Sequence, residues 1–212
     1  MKNNKSPKRR FFDRMRYMTK IILATTSPYR RETFGYLGIP FEAEGSDVDE
    51  SQLRRNNPEE LVKGLSRLKA EAVAENHSDA IVIGMDSVGC FNGQIFEKPK
   101  SKEEDFQRLE AFSGNNHQFY TGVHMINTIS GKIISKIVKT DVFMRELSEE
   151  EINRYLDEDP NFNTYALGYD PVKCYSASFV KRIEGSYYNL LGGIPLETIV
   201  EMLKEIGYKE EH

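Results

Sequence analysis

Apolar and polar positions along this chain follow two periods, one typical of buried strands and one typical of amphipathic helices. Short apolar runs at residues 21–24 and 80–84 predict buried strands, and the second run continues through Val88. The dipeptide Asn92-Gly93 predicts a hairpin turn after it. Further strands are predicted at residues 41–48, 94–96, 119–127, 132–145 and 176–183.

Helix starts are marked by capping residues. Ser27 before Pro28 predicts an N-cap followed by the first helical residue, and Gly38 predicts the end of that helix. The remaining predicted helices cover residues 58–76, 102–112, 149–157 and 195–206, the second and third of them introduced by capping boxes. Helices and strands alternate without a regular βαβ repeat, so we expect an α/β fold with a mixed, twisted sheet flanked by helices.

The first predicted helix carries two arginines, Arg30 and Arg31, in its first turn, where the helix dipole disfavours cations. A bound anion would remove this conflict, because free N–H groups, the Ser27 hydroxyl and guanidinium groups together can hold a phosphate. Two solvated surface arginines are the alternative, and this segment alone does not separate the two interpretations.

The composition is that of an ordinary globular protein. The chain has 212 residues, of which 39% are hydrophobic and 29% charged, and its net charge of −4 argues against a nucleic-acid-binding surface over the whole chain. Cys90 and Cys174 lack zinc-site spacing, so we expect reduced thiols in a cytoplasmic protein. No apolar run approaches the ~20 residues that a membrane helix needs.

The first seventeen residues differ from the rest, since they carry seven lysines and arginines against a single acid, Asp13. We expect residues 1–17 to be a basic, disordered extension and residues 18–212 to form one domain.

Two groups of acids are candidate site residues. Asp86 follows an apolar strand, where open α/β sheets place their ligand sites, although an aspartate there can also begin a turn. Glu50 ends a second acidic segment with Asp47 and Asp49. A carboxylate from this segment together with Asp86 could hold Mg²⁺ with substrate phosphates, whereas the segment alone would be a solvated loop.

Lys69 and Lys98 each have the pattern of a surface lysine when taken alone. Together with Arg30 and two or three acids they would suit a metal–polyphosphate site. The chain contains no GxxxxGK[ST] segment, so a P-loop is excluded as the phosphate cradle.

Eight segments follow one another along the chain from about Lys20 to Gly207. They are ILATTSPYRRE, SDVDE, LKAEAV, IGMDSV, FEKPKS, FSGNNHQFYTGV, ELSEEEINRYL and FVKRIEGSYYNLLGGIPL. In these segments and their order the chain resembles the Maf-type nucleoside triphosphate pyrophosphatases, which share a fold with the inosine-triphosphate pyrophosphatases. One segment alone would be weak, whereas eight in the family's order are specific.

This resemblance implies two lobes around a central nucleotide cleft and hydrolysis of a nucleoside triphosphate to its monophosphate and pyrophosphate with Mg²⁺ or Mn²⁺. Asp86 would be the catalytic acid, as metal ligand or as base on the attacking water, and Glu50 would help to hold the metal. The residues implied to bind or neutralise the triphosphate are Ser27, Arg30, Lys69 and Lys98.

Three departures from the family pattern fall at the base end of the expected site. Tyr29 replaces an arginine of the pyrimidine-specific members, and the 7-methyl-GTP branch has an aromatic residue there. An aromatic ring can stack on a base and attract a cationic one. Ser87 replaces a threonine, and Lys173 stands where the family has its specificity glutamine or glutamate, so neither familiar base preference is matched.

Two other classes of function remain open. One is a non-enzymatic nucleotide-binding or cell-division-regulating protein on the same fold, and the other is a nucleic-acid-associated protein acting through residues 1–17. The joint presence of Asp86, Glu50, Lys69 and Lys98 favours the enzyme, because a pure binder needs no acids. We therefore expect a nucleoside triphosphate as the partner, with no membrane and no nucleic acid, and a homodimer is left open.

Overall fold

Buried apolar runs form the central strands of a seven-stranded sheet in the computed structural model, which describes residues 19–209. The strands are β1 (Lys20–Ala24), β2 (Glu42–Glu44), β3 (Ala80–Phe91), β4 (Gln94–Phe96), β5 (Asn116–Asn127), β6 (Ile133–Met144) and β7 (Val180–Glu184). The helices are α1 (Pro28–Gly35), α2 (Pro58–Ala74), α3 (Lys102–Phe112), α4 (Glu149–Glu158), α5 (Tyr187–Gly192) and α6 (Leu196–Ile206). The basic extension at residues 1–17 lies outside the described residues.

The sheet is mixed, as expected. Its strand order is β2-β1-β3-β5-β6-β7, with β4 pairing only with the end of β3. Strand β1 runs parallel to both β2 and β3, whereas β5, β6 and β7 continue the sheet in antiparallel pairs. The last pair of the β1–β3 register is Ala24 with Gly84, so β3 extends well beyond the end of β1.

Alternation along β1 and β3 distributes their side chains to two faces of the sheet. Residues such as Leu23 and Ile83 enter a core with α1 and α6, whereas Ile22 and Val82 meet α2 on the opposite face. A second large core lies among α3, α4 and the antiparallel strands, built around Phe112 and other aromatic residues. The chain therefore has two principal apolar centres within one continuous sheet.

The structure corrects two predicted elements and adds a third. Only Glu42–Glu44 forms a strand in the predicted segment 41–48, since the polar residues that follow leave the sheet and enter a 3-10 turn at Glu50–Gln52. The predicted strand 176–183 begins instead with a 3-10 turn at Tyr175–Ser178 and becomes β7 afterwards. Helix α5 was not predicted, because its six residues are too few to show a helical period.

Helix α2 lies unusually close to the sheet because glycines face it. A Cβ atom on Gly84 would overlap the carbonyl oxygen of Ser66, and one on Gly122 would overlap the carbonyl oxygen of Val62. Gly84 lies on β3 and Gly122 on the neighbouring β5, opposite Asp86. Two adjacent strands therefore present bare backbone to one helix, and α2 packs directly on them.

We expect Gly84→Ala to destabilise the protein by about 1–3 kcal/mol, because the added methyl group meets backbone atoms of α2 rather than a flexible side chain. Thermal unfolding followed by circular dichroism should show a drop of about 2–4 °C per kcal/mol. Gly35→Ala is the matched control, since nothing lies within 4 Å of the added methyl group there. Equal midpoints for the two variants would contradict the close-packing argument.

Candidate functional site

A cleft of about 940 Å³ opens where β1 ends and β3 continues. After Ala24 the chain turns into α1, and β4 pairs with β3 only from Gly89 onward. The edge of β3 between these points has no neighbouring strand on that side within the described residues, and Asp86 lies there. The sequence suggested that Asp86 follows the end of a strand, whereas it lies inside β3. It faces the cleft because the adjacent strand stops short.

Lys69 joins the two predicted acids. Its ammonium nitrogen lies 2.6 Å from Oδ1 of Asp86 and 2.8 Å from Oε1 of Glu50. Asp86 and Lys69 are largely buried, whereas the Glu50 side chain is 43% exposed. Within the described residues no hydrogen bond reaches the second oxygen of either carboxylate, so each retains an oxygen for a ligand.

Arg30 lies across the gap in the sheet. Its guanidinium donates to the carbonyl oxygens of Gly193 at 3.2 Å and Met85 at 3.1 Å and to the Ser87 hydroxyl at 2.9 Å. Burial lowers the pKa of the guanidinium, and the negative charges of Asp86 and Glu50 oppose that shift. Among residues 19–209, three of its five N–H groups find a partner, and two remain for a ligand.

Ser87 and Ser27 occupy defined positions beside Arg30. The Ser87 hydroxyl lies 2.8 Å from the Thr121 hydroxyl in addition to its contact with Arg30. Ser27 is the N-cap of α1, as predicted, and its hydroxyl accepts from the Arg30 backbone N–H at 3.4 Å. Both line the cleft, so the start of α1 opens into it.

Tyr29 belongs to a second wall of the cleft. Its hydroxyl lies 3.0 Å from the Thr164 hydroxyl, and its ring centroid is 5.6 Å from that of Tyr165. Thr164, Tyr165 and Asp170 also line the cleft. Thr164, Tyr165 and Asp170 were not among the predicted site residues, since a loop of mixed polar and aromatic residues carries no periodic signal.

Lys98 lines the cleft with an exposed side chain, as predicted. The neighbouring Glu97 forms an ion pair with Arg55, and both residues line the cleft without having been predicted there. Lys173 is different, because its side chain is exposed and it is absent from the cleft wall. The structure thus brings the predicted set except Lys173 to one cleft, and the role of each residue in the set stays a prediction.

The donor set suits a hard divalent cation. Glu50 and Asp86 supply carboxylate oxygens, which Mg²⁺ and Mn²⁺ prefer, and Lys69 holds the two carboxylates beside each other. Among residues 19–209, no group of three or more histidine, cysteine, aspartate or glutamate side chains is arranged to hold a metal.

The loop behind the base end is held by buried groups. Asp105, on α3, has no exposed surface, and its carboxylate lies against Gly168, whose φ of +82° and missing Cβ make room for it. Burial raises the pKa of Asp105 to about 8, although Arg108 opposes the shift. His117 lies 3.1 Å from the Tyr169 hydroxyl, and burial lowers the pKa of its ring to about 3.

The fold and the cleft define an α/β protein with a mixed sheet and a site in which cations and paired acids face one cavity. The family described as "Maf: Maf-like protein" matches residues 20–206. The chain belongs to the Maf family, which confirms the resemblance drawn from its segments. In the described range, no helix has both the length and the apolar character to cross a bilayer.

Curated relatives match nearly the whole chain. A 7-methyl-GTP pyrophosphatase of Nitrosococcus oceani is 36% identical over 194 residues, covering 89% of this chain and 94% of its own. A dTTP/UTP pyrophosphatase of Pelotomaculum thermopropionicum is 38% identical, covering 90% and 98% respectively. Among solved structures, the Staphylococcus aureus Ham1 protein aligns with 88% of this chain and 98% of its own, with a TM-score of 0.48 and 14% identity.

We expect Asp105→Asn to change how stability depends on pH. Asp105 has its ordinary pKa of 3.8 in the unfolded chain and a pKa of about 8 in the folded protein, which therefore keeps the proton over the range between them. The stability that the neutral group contributes is thus fully present at acid pH and is lost as pH rises through that range. The melting temperature of the wild type should fall relative to Asp105→Asn between pH 5 and 8. The free energy of unfolding can fall by at most about 1.4 kcal/mol per pH unit, which lowers the melting temperature by roughly 3–5 °C per pH unit.

Asp157→Asn serves as the control for the titration, because the Asp157 side chain on α4 is 78% exposed. Its melting temperature should follow the wild type at every pH. A constant offset between wild type and Asp105→Asn from pH 5 to 8 would mean that Asp105 ionises normally in the folded protein.

Proposed function

We propose that this protein hydrolyses a nucleoside triphosphate between its α- and β-phosphates and releases the monophosphate and pyrophosphate. The observation that carries the proposal is the cluster in which Lys69 lies between Glu50 and Asp86 on the cleft wall. Relatives named as dTTP/UTP and 7-methyl-GTP pyrophosphatases support it, since they are 36% and 38% identical over about nine-tenths of the chain.

In this mechanism Asp86 accepts the proton of the water that attacks the α-phosphorus. Lys69 donates to Oδ1 and so orients the carboxylate, while Oδ2 stays available to the water. A carboxylate held by one strong contact keeps its direction while the substrate binds. The proton thus leaves the attacking oxygen toward a group that is fixed by β3 and α2 together.

The cations of the cleft act on the phosphates. Lys98 and Lys69 neutralise the charge that builds on the departing pyrophosphate. The Ser27 hydroxyl and the start of α1 bind phosphate oxygens, because the positive end of a helix dipole favours anions. Arg30 offers its two remaining N–H groups and also holds the backbone at Met85, next to Asp86.

A divalent cation, Mg²⁺ or Mn²⁺, is part of the proposal, with Glu50 and Asp86 as the residues that would hold it. When bound, the ion supplies Lewis-acid polarisation of the phosphate group. The protein's own contribution is to keep two carboxylates adjacent through the Lys69 ammonium, although both carry negative charge.

At the base end, we propose that Tyr29 stacks on the nucleobase, with Ser87 and Lys173 as the further residues implied by family position. The Tyr29 ring is fixed by the Thr164 hydroxyl and by Tyr165, which suits a stacking surface. The Ser87 hydroxyl already accepts a hydrogen bond from Arg30, so a contact between Ser87 and the substrate would be made in addition to that bond.

Cytoplasmic location is a further part of the proposal, supported by two free cysteines, Cys90 and Cys174. A homodimer and the absence of nucleic-acid binding stay predictions.

The function is tested by measuring pyrophosphate release from a panel of canonical and modified triphosphates with Mg²⁺ or Mn²⁺ and with a chelator. Asp86→Asn should lower kcat by about 10²- to 10⁴-fold on every accepted substrate, because the amide keeps the shape and cannot take the proton. Asp141→Asn is the control, an aspartate paired with Lys139 at 3.0 Å and absent from the cleft wall. Normal turnover by folded Asp86→Asn would remove Asp86 from the mechanism.

For Tyr29→Ala we expect kcat/KM to fall by about 5- to 150-fold on the preferred nucleotide, since base–aromatic stacking contributes roughly 1–3 kcal/mol. Inorganic tripolyphosphate, which has no base, should be much less affected. Tyr29→Phe keeps the ring and should stay near wild type, and Tyr36→Ala tests an exposed tyrosine just after the same helix. Equal losses on nucleotide and tripolyphosphate would place the ring at the phosphate end instead.

A further inference from the structure

A buried arginine on the far side of the cleft wall connects both ends of the site. Arg108 lies on α3, its side chain is 2% exposed, and it is not part of the cleft lining. One terminal nitrogen donates to the carbonyl oxygen of Glu97 at 2.7 Å and to that of Ala166 at 3.4 Å. These two carbonyls are 69 residues apart in the chain, and the same guanidinium nitrogen bonds both of them.

Each of these carbonyls belongs to a segment that lines the cleft. Glu97 directly precedes Lys98, which we place against the phosphates, and Ala166 directly follows Tyr165, which contacts Tyr29. The main chain at both places is therefore held from behind by the same side chain. A movement of Arg108 would change the spacing between the phosphate end and the base end.

The arginine itself is held in place. Its second terminal nitrogen donates to Oε1 of Glu104 at 3.1 Å, and its guanidinium carbon lies 5.0 Å from the centroid of the Phe96 ring. Burial lowers the pKa of the guanidinium, and Asp105 and Glu104 oppose that shift. A charged group with this little solvent contact is costly unless it is paired and hydrogen-bonded, and hydrogen bonds from a charged donor are stronger than neutral ones.

We propose that Arg108 is a positioning residue: it clamps the Glu97–Lys98 segment and the loop at residues 165–168 at a set separation, so that phosphate and base are bound in register. The clamp gives the cleft one fixed length, and the reacting phosphate is then aligned with Asp86. The proposal rests on the pyrophosphatase function for its effect on catalysis, whereas its effect on the two segments is independent of any activity.

The test compares Arg108→Met and Arg108→Lys with wild type. Arg108→Met removes every donor, and the single ammonium of Arg108→Lys cannot bond both carbonyls and Glu104 in the planar geometry of the guanidinium. For both variants we expect kcat on nucleotides to fall by about 10- to 100-fold with KM rising less than about threefold. The binding groups are all retained and only their alignment is lost.

Arg154→Met is the matched control. Arg154 lies on α4, forms an ion pair with Glu158 at 2.8 Å, and is 4.2 Å from the Tyr175 ring centroid, so it repeats the ion pair and ring contact of Arg108 without a carbonyl clamp. Its kinetics should match the wild type. Arg108→Lys carries the test if Arg108→Met does not fold.

Hydrogen exchange supplies a readout that needs no turnover. The amides of Glu97, Lys98 and Lys100 and those of residues 165–168 should exchange at least about tenfold faster in the Arg108 variants, and their exchange should be unchanged in Arg154→Met. Unchanged exchange in both segments, or faster exchange with wild-type kcat, would overturn the clamp. If the wild type releases no pyrophosphate from any triphosphate, the proposed function fails, and the exchange data alone decide whether Arg108 holds the two segments.

Discussion

The site depends on the close approach of one helix to bare strand backbone. Gly84 and Gly122 let α2 lie directly on β3 and β5, and any side chain at either position would meet the helix backbone. Lys69 on that helix then reaches Asp86 on β3 at 2.6 Å. A wider spacing between helix and sheet would separate the ammonium from the carboxylate and leave both poorly solvated, which is unfavourable for buried charges.

The cleft itself is a consequence of unequal strand lengths. Strand β1 ends at Ala24, whereas β3 continues to Phe91, and the start of α1 takes the place that a longer strand would have filled. Arg30 then donates to the open edge of β3 at the carbonyl of Met85. The same gap therefore opens the cleft beside Asp86 and is filled in part by the start of α1. The Arg30 guanidinium lies between the two.

Local sequence signals predicted much of this architecture. The apolar runs of β1 and β3, the N-cap at Ser27 and the capping box at Ser148 each depend on neighbouring residues alone, and the structure has all of them. The resemblance to the family's segments also selected the acids and lysines of the cleft from among the many charged residues of the chain. Where periodicity was absent, as around the six-residue helix α5, the prediction failed.

Other features were decided only by the tertiary structure. Asp105 and Arg108 lie on a charged helix whose sequence resembles that of any solvated helix. Asp105 is buried against Gly168, and Arg108 is buried beside the carbonyl oxygens of Glu97 and Ala166. Lys173 stands where the family has its specificity residue, yet it is exposed and absent from the cleft wall. The sequence by itself determined most of the segments that become strands and helices and which residue types can do the chemistry. Which of those side chains meet was decided by long-range packing, because strand register and helix–sheet spacing set distances that no local pattern contains.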